Sequence, residues 1–177
     1  QNAQGLMLIG QVEGRAEGFM TCQRINKSEN EIVSWDDTTN FGTLDNTHQP
    51  DGKTFYVVNL TVTGKGSDHN LGDLLIGEMM KRFVESHTDQ AYLLSRIPQF
   101  QEWLKQNNIE FDALTASEQD ELVNSYVFMT KEVNGKQVLY DGMLRRYAGF
   151  GVKPVKAMRD GFKDPLSHDY SVLCRLD

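Results

Sequence analysis

The chain of 177 residues has no stretch long and apolar enough to span a membrane. The most apolar early segment, GLMLIG at 5–10, is too short for a signal-peptide core, and no positive charge flanks it. Cysteine is scarce. Cys22 and Cys174 lie far apart, form no CxxC pair and have no metal-ligand spacing, so reduced, buried thiols are expected. Together these features suggest the cytoplasm. Positive charge is also in deficit. A formal net charge of −7 argues against general binding to nucleic acid or to anionic membranes. An anionic ligand needs only a local donor site, so it is not excluded. Repeats and low-complexity tracts are absent. The length fits one domain, 1–177. The first residue is Gln, not Met, so a processed chain or a piece of a longer polypeptide is expected.

What is present is an alternation of strand and helix patterns. Leu6 to Val12 and Phe19 to Ile25 read as strands around the turn-like EGRAEG, and could form a hairpin. Asn26 to Gly52 is polar and reads mostly as connection, with one short apolar stretch at Ile32 to Trp35. Phe55 to Val62, FYVVNLTV, is dense in β-branched and aromatic residues and is the clearest strand. After a break at Gly64 to Asn70, apolar residues at 71, 74, 75, 79 and 83 mark one face of a helix running to His87. Ala91 to Ser95 reads as a short strand, and Pro98 to Gln106 as a helix with Pro in its first turn. Thr115 and Glu118 have capping-box spacing, which predicts a helix to about Phe128. Asn134-Gly135 predicts a turn. Asp141 to Ala148 reads as a helix ending near Gly149 or Gly151, and Val152 to Met158 and Tyr170 to Leu176 as paired closing strands. The expected fold is α/β or α+β, with a mixed central sheet flanked by helices.

A hydrophobic strand, a small polar turn and a helix can form a phosphate site. Free N–H groups at the helix start point outward, and the helix dipole adds partial positive charge. Here the turn runs from Gly64 through Lys65, Gly66, Ser67, Asp68 and His69 to Asn70, and the helix opens at Leu71-Gly72. It is neither a Walker P-loop nor a GxGxxG fingerprint. By residue type alone, a plain structural turn is an equal reading.

The spacing resembles the coenzyme A loop of GNAT acyltransferases. That family has a small apolar strand end, then Gln or Arg five positions on, then Gly three and five positions later. Counting from Val62 gives Ser67, Asn70 and Gly72, followed by Asp73. Ser67 stands for the Gln or Arg and Asn70 for the first Gly. Asn tolerates positive φ, so the loop can still close. Downstream, Tyr147-Ala-Gly-Phe-Gly151, with Leu144 before it, resembles the family's Tyr–three residues–Gly element. The resemblance implies a GNAT fold with no permanent cofactor or metal. Leu60, Thr61, Val62, Ser67, Asp68, His69, Asn70, Leu71, Gly72 and Asp73 would bind acyl-CoA. Tyr147 would protonate the departing thiolate.

The chain also resembles the GNAT-like loading domains of polyketide synthases, over roughly residues 19 to 177. The pieces are Cys22-Gln-Arg-Ile25, the turn His48-Gln-Pro-Asp-Gly52, Val57 to Val62, Leu71-Gly-Asp-Leu-Leu75, Leu94-Ser-Arg96 and Asp141-Gly-Met-Leu-Arg145. The resemblance implies acyl transfer from acetyl-CoA or malonyl-CoA to the phosphopantetheine thiol of an acyl carrier protein, beside neighbouring synthase domains. That subfamily has Thr where Ser95 stands and His where Tyr147 stands, the residues implicated in decarboxylation. Ser95 keeps a hydroxyl able to bind a carboxylate or carbonyl oxygen. An ordinary phenol does not replace His as a neutral-pH acid or base, so decarboxylation stays open. The expected second arginine has no counterpart, and Phe162-Lys163 lies near its place. An N-acetyltransferase acting on an amine and a non-catalytic acyl-CoA-binding domain remain alternatives. His48 and His168 read as solvated loop residues, and Glu78 and Glu85 as a solvated helix face. His69 is equally a surface residue or a phosphate donor. Lys81, Arg82, Arg145, Arg146, Lys153, Lys156 and Arg159 are either a patch for an acidic carrier or scattered charge.

Overall fold

The computed structural model describes residues 6–176. Gln1 and the Gly5 end of GLMLIG lie outside the described residues. The chain folds into two compact units that divide between Leu93 and Leu94.

The first unit opens with a hairpin of Met7–Val12 (β1) and Arg15–Ile25 (β2). Only Glu13 (φ 51°) and Gly14 (φ 78°) form its turn. Two positive φ values match the right-handed twist of the strands. The six-residue turn EGRAEG therefore contracts to two residues, and Arg15 and Ala16 already pair with Val12 and Gln11. Thr54–Val62 (β3) adds antiparallel to β2, and Gln90–Ser95 (β4) adds parallel to β3. The order β1-β2-β3-β4 is a mixed sheet.

The polar segment between β2 and β3 is more structured than its composition suggests. It holds a single helical turn at Glu29–Glu31 and the short helix Trp35–Thr39 (α1). Ser34 caps α1 by accepting from the Asp37 N–H. Gln23, fully buried on β2, donates to the Thr38 carbonyl at 2.7 Å and accepts from the Thr47 hydroxyl at 2.9 Å. His48 is held as well, since its Nδ1 accepts from the Arg24 N–H at 3.3 Å. Partial burial and the Arg24 charge lower its pKa, so the solvated-loop reading does not hold.

After β3 come a short helix, Gly64–Asp68 (α2), and a long one, Leu71–Glu85 (α3). Leu71, Leu75, Ile76, Met79 and Phe83 of α3 are buried, each worth roughly 2 kcal/mol against exposure. The Phe83 ring meets Phe55 of β3 at 5.9 Å between centroids. Leu74 was expected on this stripe but is 65% exposed. The buried face runs through 71, 75 and 76, and Leu74 falls at its far side at 100° per residue. Glu78 and Glu85 are exposed as expected, in spaced pairs with Arg82 and Lys81.

The second unit contains Phe100–Gln106 (α4), Ala116–Val127 (α5), the hairpin Thr130–Val133 (β5) and Lys136–Leu139 (β6), Gly142–Ala148 (α6), Lys153–Met158 (β7) and Ser171–Leu176 (β8). α4 begins two residues after Pro98, where the Phe100 N–H donates to Ile97. The capping box of Thr115 and Glu118 opens α5 as predicted. Asn134 (φ 52°) and Gly135 (φ 75°) turn the β5–β6 hairpin. β7 and β8 pair antiparallel. Phe100 packs against Trp103, Phe111 and Tyr126, with centroids 5.0–6.0 Å away. His168, expected in solvent, is half-buried and packs its ring at a tilt against Phe111, with centroids 4.6 Å apart.

Candidate functional site

β3 carries the first part of the site. Its ladder with β2 shifts register by one residue at Val58, where Thr21 pairs with Asn59 and Cys22 with Val57. Such a bulge bends the strand and frees a residue from the ladder. The indole Nε1 of Trp35 takes up the Val58 carbonyl at 2.8 Å. The Val58 N–H donates to the Cys22 thiol, whose pKa is pushed up chiefly by burial. Parallel pairing with β4 stops at Val57 opposite Leu93.

The far end of β3 is therefore unpaired on one edge within the first unit. The Thr63 N–H donates to the Glu17 carbonyl at 2.9 Å. By antiparallel alternation, Thr61 and Asn59 also turn their backbone groups toward β2, while Leu60 and Val62 present N–H and C=O to the unpaired edge.

The turn that follows differs from the expected open loop. Residues 64–68 wind into α2, and the Thr63 hydroxyl caps it by accepting from the Gly66 N–H. The N–H groups of Ser67, His69 and Asn70 donate to Thr63, Gly66 and Ser67 carbonyls, so they do not point at a ligand. Ser67, Asp68, His69 and Asn70 are exposed. Gly66 is fixed by crowding: a Cβ there would stand 2.6 Å from the Glu17 carbonyl and 2.7 Å from Val62. Asn70 adopts φ 54°, ψ 26°, and its side chain does not cap α3. The first helical hydrogen bonds of α3 come from Asp73 and Leu74 to the Asn70 carbonyl. Leu71 and Gly72 precede them, so their N–H groups are the open donors at this helix start.

The second unit carries the other two predicted residues. Ser95, buried at the end of β4, donates its hydroxyl to the Arg96 carbonyl at 2.9 Å. Tyr147 is half-buried in the last turn of α6. Asp141 sets that helix by accepting from the N–H groups of Met143 at 2.9 Å and Leu144 at 3.1 Å. Its carboxylate also accepts from the Tyr126 hydroxyl at 3.1 Å, and burial raises its pKa. Burial, with the neighbouring Cys174 thiol, pushes the Tyr147 phenol up to about 12 against the opposing pull of Arg146. Cys22 and Cys174 are both buried free thiols, as expected.

Several cations of the suggested basic patch are already engaged. Arg145 donates to the Leu139 and Tyr140 carbonyls, and Arg159 to Asp120 and the Ala116 carbonyl. Lys163, near the place of the expected second arginine, lies 3.6 Å from Asp169. Sequence reasoning passed over Trp35, Tyr56 and Asn59. The only signal for Asn59 was a polar amide inside the apolar strand FYVVNLTV.

No protein-family model and no curated protein matches the sequence. Solved structures do match, and they define the architecture as the GNAT fold. The loading GNAT-like domain of CurA from Lyngbya majuscula matches over 97% of this chain and 76% of its own, with TM-score 0.73 and 16% identity. The GphF GNAT-like decarboxylase, solved with isobutyryl-CoA, matches over 96% of this chain and 76% of its own, with TM-score 0.65 and 15% identity. Malonyl-CoA decarboxylase from Rhodopseudomonas palustris matches over 92% of this chain but 44% of its own, with TM-score 0.61 and 18% identity. At these identities the likeness is one of fold.

Proposed function

We propose that the chain is an acyl-CoA-dependent acyltransferase that moves an acetyl or related acyl group from coenzyme A to the phosphopantetheine thiol of an acyl carrier protein. The carrying observation is the unpaired edge of β3 at Leu60 and Val62, which leads directly into the open N–H groups of Leu71 and Gly72. The edge offers main-chain donors to a thioester carbonyl, and the helix start offers donors and a favourable dipole to a pyrophosphate. Both come from one continuous stretch of chain. The similarity to the CurA loading domain and the isobutyryl-CoA complex of GphF supports the choice of donor class.

In this reading Tyr147 protonates the departing thiolate. A phenol held near 12 is fully protonated at neutral pH. Transfer to a free thiolate, whose thiol ordinarily titrates at about 8.5, is uphill. The proton is therefore delivered as the C–S bond breaks, and the phenolate is reprotonated from solvent. Ser95 has the smaller role, because its proton is committed to Arg96 and only its lone pairs remain. Ser67, Asp68 and His69 contribute side chains at the rim of the phosphate site, not main-chain donors. We read the chain as one cytoplasmic acyltransferase domain.

Mass spectrometry of an acyl carrier protein incubated with this chain and acetyl-CoA or malonyl-CoA tests the proposal. Loading from acetyl-CoA is expected, and loading of acetyl from malonyl-CoA would add decarboxylation. No loading from either removes the carrier-protein reading. Acetylation of an amine under the same conditions would favour an N-acetyltransferase. Absence of coenzyme A binding by calorimetry removes both enzymatic readings.

A further inference from the structure

Four buried side-chain polar atoms lack a hydrogen-bond partner among the described residues, and three of them belong to α1 and β3: the Thr38 hydroxyl, the Tyr56 hydroxyl and Asn59 Oδ1. Tyr56 and Asn59 lie on the sheet face away from α3. Phe55 meets Phe83 of α3, so Tyr56 points to the other side. A Cβ on Gly18 would touch Leu71 and Leu75 of α3, so Phe19, Thr21 and Gln23 occupy the opposite face. Asn59 pairs with Thr21, and Tyr56 with Gln23.

This face changes character along its length. At the Gln23–Tyr56 end α1 covers it, through the Gln23 and Trp35 hydrogen bonds. At the other end it is open, with Met7 55%, Ile9 60% and Phe19 38% exposed. Asn59 stands at the boundary. A buried amide oxygen without a donor has given up its water and gained nothing in exchange. Turning the amide over would leave its NH2 in the same position, so either orientation calls for an outside partner. The residues around Asn59 on this face (Phe19, Thr21, Gln23, Tyr56 and Thr61) carry no charge at neutral pH, and Glu17 beyond them accepts from the Thr63 hydroxyl.

We propose that Asn59 is a specificity-determining residue that hydrogen-bonds a hydroxyl or amide N–H on an otherwise uncharged acyl substituent of the donor. The inference rests on the acyl-CoA reading above. A thioester held by Leu60 at the unpaired edge puts its acyl group beside the residue adjacent on the same strand. The neighbouring apolar surface receives the chain, and among the described residues the strand partners around Asn59 (Phe19, Thr21 and Gln23) are not cations that could hold a carboxylate.

Calorimetry with coenzyme A, butyryl-CoA, β-hydroxybutyryl-CoA and malonyl-CoA tests it without any acceptor. The wild-type chain should prefer β-hydroxybutyryl-CoA to butyryl-CoA by roughly ten-fold or more, because a site built around a hydrogen bond rejects the analogue that lacks it. Asn59→Leu should abolish that preference while binding coenzyme A as before. Asn59→Gln, which keeps the amide, guards against a folding artefact and should retain part of the preference. Equal affinity of the wild-type chain for the two thioesters overturns the inference, as does an unchanged ratio in Asn59→Leu. Malonyl-CoA binding more tightly than butyryl-CoA also overturns it. Failure of coenzyme A itself to bind is a separate outcome, and it overturns the acyl-CoA reading together with this one.

Discussion

Arg96 grips Asp164 with two parallel hydrogen bonds, Nε to Oδ2 at 2.8 Å and Nη2 to Oδ1 at 2.7 Å. The planar fork matches the carboxylate edge to edge. Ser167 adds its hydroxyl to the same carboxylate and accepts from the Ile97 N–H at 3.0 Å, so the loop before β8 is tied to the segment after β4. Burial raises the Asp164 pKa, but the hydrogen bonds from Arg96 and Ser167 outweigh it and leave the net value lowered.

That sign fixes a pH dependence. A carboxyl with a lowered folded pKa contributes stability that is present above its unfolded value, about 3.9. The contribution is lost as pH falls through the folded value. Arg96→Met should destabilise the chain by on the order of 2 kcal/mol at neutral pH, because it leaves a buried carboxylate unpaired. Urea denaturation should show the gap from wild type narrowing as pH drops below about 3.9. A gap of constant size would contradict the assignment.

Tyr147→Phe removes the proposed acid and keeps the half-buried ring. Its kcat for acyl transfer should fall by roughly 100-fold or more, with coenzyme A affinity unchanged. Because burial holds the phenol near 12, the wild-type rate should show no alkaline loss from this group below about pH 10. Stopped-flow detection of free thiol measures both.

Gly66→Ala tests the close approach of α2 to β2. The added methyl meets the Glu17 carbonyl and Val62, so a cost of about 1–3 kcal/mol is expected. Thermal denaturation should show the loss. Coenzyme A affinity should fall with it, because α2 and Asn70 set the direction of the α3 start. Ser67→Ala at the exposed neighbouring position should leave stability within about 0.5 kcal/mol of wild type.

Trp35→Phe deletes the donor to the Val58 carbonyl. A loss of about 1 kcal/mol is expected. Amide hydrogen exchange should quicken at Val58 and Asn59 but not in β1. Uniform exchange across the sheet would argue that the indole does not pin the bulge.

The strands and helices with strong local signatures follow from the sequence. The density of β-branched and aromatic residues in 55–62, the Thr115–Glu118 box and the Asn134-Gly135 turn each specify their conformation through neighbouring residues alone. The side chains that turn α1 and residues 64–70 into ordered structure act over distance. Gln23, Trp35 and His48 reach across 15 to 24 positions of sequence to their partners. Ser67 illustrates the limit. Its residue type and position suggested a phosphate contact, but winding of α2 spends its N–H on Thr63. The sequence by itself determined the main strands and helices and the strand–turn–helix frame, which are local properties of hydrophobic period and turn chemistry. Only the tertiary structure decided which main-chain donors stay open, because a donor is free or taken according to the strand or turn packed beside it. The unpaired edge at Leu60 and Val62 exists for that reason.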